Sequence, residues 1–304
     1  METDETTTNF EISTIADGFA YLEGPRWHNG RIWFVDFYTH RVLSAAEDGS
    51  DLRVEAHVPT QPSGLGWLPD GRLLVVSMRD ARILRREANG ELVTHADLSD
   101  HVSGHPNDMV VDAQGRAFVG EFGFDLMGGA PLEPAVLLRV DPDGSVTTVA
   151  HDMLFPNGSV ITDSGVLLVN ETFGNCVTAF DIGADGALDN RRVWAQFGPR
   201  PTDRDLELVL GQISVAPDGC GLDADGALWI ADALGNRLLH VREGGHVIDE
   251  VPTGTGVFAC ILGGSDGRTL FACTAPDFHE EARKNAREGS LIAIRTATPH
   301  AGTP

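Results

Sequence analysis

The chain has 304 residues, about twice the ~150 of an average domain, a length at which a propeller or an α/β barrel still forms one unit. Its 45 Asp and Glu against 22 Lys and Arg leave a formal charge of −23, which repels phosphate backbones and anionic headgroups and excludes nucleic acid and membrane surfaces as partners. With 35 glycines and 16 prolines it has more tight turns than a helix bundle uses, and its 42% of hydrophobic residues can fill a large core.

Taken in chain order, the start Met1-Glu2-Thr3-Asp4-Glu5-Thr6 is acidic and polar, unlike the basic-then-apolar opening of an export signal. No run reaches the ~18 apolar residues of a spanning helix, so a cytoplasmic protein is expected. Residues 10–15 read as an outer strand without a blade. A pattern then recurs six times: a turn glycine followed at once by a short β-favouring run. The glycines are Gly30, Gly71, Gly115, Gly165, Gly226 and Gly267, at gaps of 41, 44, 50, 61 and 41 residues. In each copy a strand enters the turn and a second leaves it, which is a hairpin signature, and a third follows: RVLSA from Arg41, RILRR from Arg82, VLLRV from Val136, VTAFD from Val177, RLLHV from Arg237 and LIAIR from Leu291.

Six such units predict an all-β fold, a single six-bladed β-propeller over residues 1–304, with the N-terminal strand completing the last blade. Residues 1–8 and about 297–304 are expected to fray. Two insertions break the period: Phe122 to Gly129, and Phe197 to Leu210. Apolar loops after a rigid strand line or cover pockets, although the second could equally pack on the outside. The four cysteines, Cys176, Cys220, Cys260 and Cys273, lack zinc-site spacing and read as buried free thiols.

Alignment on the turn glycine yields two registers. Eight residues before it stand Leu22, Ser63, Asn107, Asn157, Asp218 and Ala259, with Glu23 one place late in the first copy. Oxygen donors converging from several blades suit a hard divalent cation. Six residues after the glycine stand Asp36, Ser77, Glu121, Glu171, Asp232 and Cys273. Because an antiparallel hairpin brings the start of one strand beside the end of the next, this acidic ring is expected at the same mouth. An alternative reading makes these acids ordinary turn residues of an acidic chain.

The strings Glu23-Gly24-Pro25-Arg26-Trp27, Pro106-Asn107-Asp108, Pro156-Asn157-Gly158 and Pro217-Asp218-Gly219, with Gly226-Ala227-Leu228-Trp229, resemble the SMP-30/gluconolactonase/luciferin-regenerating-enzyme family of six-bladed propellers across residues 15–295. The resemblance implies one divalent cation on Glu23, Asn157 and Asp218, with Asn107 beside it contacting metal or substrate. Ca²⁺ is the first choice, with Mg²⁺, Mn²⁺ or Zn²⁺ as alternatives. Sugar-lactonase members commonly carry an Arg two residues before that Asn, where this chain has His105. The metal motifs are intact, whereas substrate-facing positions have drifted.

A cation with open positions polarises an ester carbonyl and orients water. Asp218 is the first choice as general base and His105 the second, with Asn107, His105, Glu121 and Glu171 expected to face a small-molecule substrate. No GxSxG, Walker-type or HExxH string occurs. Lactone hydrolysis is thus the leading expectation. The alternatives are phosphotriester or aryl-ester hydrolysis or isomerisation at the same metal, or a non-catalytic propeller with a structural metal. Oligomeric state stays open.

Overall fold

The six turn glycines hold φ between +71° and +86° in the computed structural model, which describes residues 10–302. Glycine adopts that conformation at no steric cost, so each closes a tight hairpin between an inner strand and a second strand. A third and fourth strand continue antiparallel, giving six four-stranded sheets. The inner strands, Leu22–His28, Pro62–Trp67, Pro106–Val111, Pro156–Ile161, Pro217–Leu222 and Gly256–Gly263, lie side by side around a channel. The protein is a six-bladed β-propeller.

The second strand of each blade is covered on both faces, which is why most of its side chains before the strand end are apolar: Phe34, Phe118, Trp229 and Phe271 are all buried. The strand Ile12–Phe19 pairs antiparallel with Gly289–Arg295, Ser13 opposite Ala293, so the N-terminal strand completes the sixth blade as expected. This leaves the ring with no open blade. All four cysteines are buried free thiols, and burial pushes Cys176 and Cys220 up to about 12.

The expected fraying of the C-terminal tail is not what its described residues show. The His300 amide donates to the Gly267 carbonyl at 2.8 Å and the Ala301 amide to the Leu222 carbonyl at 3.0 Å. The Ala224 amide donates to the Pro299 carbonyl at 2.8 Å, so the segment is stitched across blades five and six by backbone groups that would otherwise be unpaired. Residues 1–8 lie outside the described residues. Among the described residues two short α-helices interrupt the β pattern, α1 (Leu206–Leu210) and α2 (Glu280–Arg283). No helix among the described residues is long and apolar enough to cross a membrane.

Candidate active site

Each innermost hairpin carries a register shift near the start of its inner strand: between Pro106 and Met109, Pro156 and Ser159, Pro217 and Cys220, and Glu23 and Arg26. An irregularity of this kind re-aims side chains, and here it turns Glu23, Asn107, Asn157 and Asp218 into one cavity. The glycines beside them let the inner strands close in. A Cβ on Gly64 would sit 2.6 Å from the Met109 amide nitrogen, and one on Gly158 would sit 2.4 Å from the Asp218 carbonyl oxygen.

Asn107, Asn157 and Asp218 form one hydrogen-bonded network, and Glu23 stands beside it. The Asn107 amide donates to Asn157 Oδ1 at 2.9 Å, and Ser63 Oγ donates to Asn107 Oδ1 at 2.9 Å. The Asn157 amide donates to Thr172 Oγ1 at 3.0 Å and also reaches Asp218. Glu23 accepts from the Tyr21 hydroxyl at 3.4 Å and from the Gly24 amide at 3.0 Å.

Neither acid has a basic partner at bonding distance. Burial pushes Glu23 up to about 8, opposed by the Gly24 bond and reinforced by Asp108. Burial, then Glu23 and then Asp108, push Asp218 well above the carboxylate range. Below them Arg26 pairs with Asp108 at 2.7 Å and donates to the Met109 carbonyl at 2.6 Å, both side chains almost fully buried. That pair neutralises Asp108 and plugs the channel beneath the donors. A wider depression of about 760 Å³ lies among hairpin turns beyond Arg26, and its Arg116 and Asp112 are already paired with each other at 2.6 Å. The four convergent donors belong to the other cavity, which makes that one the candidate site.

This cavity has a volume of about 340 Å³. Its walls are aromatic and aliphatic, with Phe37, Phe122, Phe155, Phe173 and Phe258 among them. Both insertions contribute: Leu126 and Met127 from the first, Leu206 and Leu210 from α1 in the second. Asp205 caps α1 by accepting from the Glu207 and Leu208 amides. The insertions are tied together by the Leu132 amide on the Arg204 carbonyl at 2.8 Å and by an Arg204–Glu133 ion pair. A third covering loop, 276–288, adds Phe278 and His279, held by Tyr38 Oη on the Phe278 carbonyl at 2.6 Å and Arg79 on Glu280 at 2.6 Å.

The second acidic ring lies at the same end of the blades, with Asp36, Glu121, Glu171 and Asp232 opposite Leu22, Pro106, Pro156 and Pro217, but none of its side chains lines the cavity. Glu121 accepts from the amides of Gly104 at 2.8 Å, Gly123 at 2.7 Å and Val136 at 3.0 Å. Glu171 accepts from the Leu154 amide at 2.7 Å and the Arg191 guanidinium at 3.3 Å. Asp36 takes the Ala20 and Tyr21 amides, and Asp232 takes the Ala216 and Gly235 amides. Each acid is consumed in pinning the loop that leads into its own blade. Glu121 and Glu171, expected to face substrate, are therefore held away from the cavity. His105 is also displaced, because it precedes the inner strand of blade three. Its carbonyl accepts the Phe122 amide at 3.0 Å and its ring stands edge-on to Phe122 at 6.1 Å, so Phe122 reaches the cavity and His105 does not.

A family model described as SMP-30/Gluconolactonase/LRE-like region matches residues 22–276. The chain belongs to that family. Pentonolactonase XacC of Haloferax volcanii is 28% identical over 261 residues, which is 83% of this chain and 81% of that protein. The 6-deoxy-6-sulfogluconolactonase of Pseudomonas putida is 26% identical, with 70% of this chain and 72% of that one covered. The calcium-binding protein regucalcin of Agrobacterium tumefaciens overlays at a TM-score of 0.75 and 18% identity, covering 97% and 96% of the two chains, a likeness of fold alone.

In this member of the SMP-30/gluconolactonase family, several site residues escaped the register argument. Tyr21 and Tyr38 are the chain's two tyrosines and both line the cavity; that scarcity was the available signal. Asn170 is fully buried and donates to the Asp218 carbonyl, while Thr172 Oγ1 donates to the Pro217 carbonyl at 2.9 Å. Blade four thus positions the acid of blade five.

Proposed function

We propose that this protein is a lactonase, opening a cyclic ester to its hydroxy acid above Glu23, Asn107, Asn157 and Asp218. One observation carries the reading: two acids without a basic partner, the buried Asp218 and the half-buried Glu23, sit with two amides at the floor of a largely apolar chamber. Membership of the family and the lactonase relatives support it. Among the described residues no group of three or more His, Cys, Asp or Glu side chains is gathered for a metal. The floor is instead two carboxylates and two amides. That all-oxygen set, two carboxyls that would give up their protons to a cation and a free lone pair on each amide oxygen, fits a hard divalent cation, Ca²⁺ before Mg²⁺, Mn²⁺ or Zn²⁺.

Bound there, the cation would draw electron density from the ester carbonyl and neutralise the charge that develops on its oxygen. Asp218 orients a water molecule toward the carbonyl carbon and takes its proton as the new C–O bond forms. The ring C–O bond then breaks, and the same proton passes to the departing ring oxygen. Asn157, Asn170 and Thr172 hold Asp218 and its strand in place, and Tyr21 steadies Glu23. His279, at the cavity rim, is a better-placed second titratable group than His105.

The test is acid release from γ- and δ-lactones by chelator-treated protein given back each cation in turn. Turnover is expected with at least one cation and is expected to vanish in Asp218→Asn. Equal turnover by wild type and Asp218→Asn overturns the reading.

A further inference from the structure

The polar groups of the cavity gather at its floor, Glu23, Asn107, Asn157, Thr172 and Asp218; the two lining hydroxyls, of Tyr21 and Tyr38, already donate to Glu23 and to the Phe278 carbonyl. The remaining wall and the three covering loops present hydrocarbon, with His279 at the rim, and no Lys or Arg among the described residues lines the chamber. The rim points the same way, for Met127, Leu210 and Leu234 are large apolar side chains left substantially exposed there. Exposed hydrocarbon grouped at the mouth of a cavity marks a surface that a ligand covers.

A polyhydroxylated lactone fits this chamber poorly. Its hydroxyls would face Phe122, Phe155, Phe173, Leu206 and Leu210, none of which offers a donor or acceptor. Each hydroxyl stripped of water without a partner lowers affinity about tenfold or more. An anionic substituent fares worse, because the site holds two acids and no cationic side chain to receive it. At the ~30 Å³ that a molecule occupies in liquid water, 340 Å³ holds roughly eleven non-hydrogen atoms. That is a lactone ring with a short alkyl or aryl arm.

We infer that the substrate is an uncharged lactone bearing a hydrocarbon arm, its ester on the polar floor and its arm against the aromatic wall and the three loops. This rests on the lactonase reading and narrows it to a substrate class that differs from the sugar lactones in the relatives' names. Recognition comes from hydrocarbon burial, so specificity should follow arm length.

The experiment compares kcat/KM for δ-valerolactone, δ-octalactone, δ-decalactone, dihydrocoumarin and D-glucono-δ-lactone on the cation-loaded enzyme. Binding of the matching δ-lactams, which carry the same arms, is measured alongside by calorimetry. The expectation is a rise of about fourfold per methylene until the chamber fills, and a glucono-lactone value at least a hundredfold below δ-decalactone. The rim variant Met127→Gln/Leu210→Asn, at exposed positions that do not support the fold, should cut the gain per methylene to less than twofold. A flat or falling dependence on arm length, or faster opening of the glucono-lactone, overturns the substrate class and leaves the lactonase reading standing. Tight binding of alkyl lactams with no lactone opened by any cation overturns the lactonase reading instead. Lactams that bind no better with longer arms overturn the hydrocarbon site itself.

Discussion

Glu121 separates two views of the acids at the blade ends, because a carboxylate that contacts substrate and one that pins a loop respond oppositely to mutation. In the structure Glu121 is about 1% exposed and accepts three backbone N–H bonds, from Gly104, Gly123 and Val136 at 2.7–3.0 Å. Hydrogen bonds to a charged group contribute at least about 1.5 kcal/mol each, so Glu121→Ala, which removes all three, is expected to cost about 4.5 kcal/mol. Glu121→Gln keeps its carbonyl on Gly104 and Gly123 but loses the Val136 bond, about 1.5 kcal/mol. It also halves the other two by removing the charge, about 1.5 kcal/mol more, for a total of about 3 kcal/mol. In a chain of this size about 3 kcal/mol corresponds to a melting point lower by roughly 5 °C. The assay is urea and thermal unfolding of both variants, with KM measured well below their melting points. An unchanged melting point with a raised KM would refute the loop-pinning role and restore Glu121 to the substrate.

Arg26→Met leaves Asp108 buried and unpaired beside Glu23 and Asp218, a loss of about 3–5 kcal/mol in urea unfolding. The double variant Arg26→Met/Asp108→Leu should recover most of it, and a double variant no more stable than the single one would count against the plug. Saturating Ca²⁺ at 100 times its dissociation constant should stabilise the wild type by about 2.7 kcal/mol and leave the melting point of Asp218→Asn unmoved; equal shifts would place the cation elsewhere. His240 sits between Asp223 at 2.7 Å and Asp249 at 3.1 Å; burial alone would lower it, but the bonds to the two acids outweigh burial and raise it above 6.5. Its contribution to stability is therefore complete below the unfolded value near 6.5 and fades as pH rises through the raised folded value. Asp223 is opposed by burial but lowered overall by His240, so its contribution is complete above about 4 and fades only as pH falls through its depressed value. His240→Phe should lose the decline on the alkaline side of 6.5 in a pH series of unfolding curves, and an unchanged slope would refute the assignment.

Blade number, ring closure and the four oxygen donors were legible in the sequence because they rest on local rules. A turn glycine with positive φ, a strand of alternating or doubly covered residues and a fixed hairpin length repeat in every copy. The fate of the second acidic ring was not legible. Asp36, Glu121, Glu171 and Asp232 occupy the register expected of channel-facing acids, yet each turns toward amides of the loop entering its own blade. Which way a side chain points at a strand end depends on where unpaired N–H groups lie in the folded loops, and that is a tertiary property. The same holds for His105, displaced from the cavity by Phe122, and for the loop 276–288, whose cover over the mouth depends on Tyr38 and Arg79 from distant blades. The sequence by itself determined a closed ring with a set of oxygen donors at one end. The tertiary structure decided that two of its many acids, Glu23 and Asp218, lie there without a basic partner, under a hydrocarbon roof assembled from three separate loops, because neither pairing nor cover can be read until the blades have met.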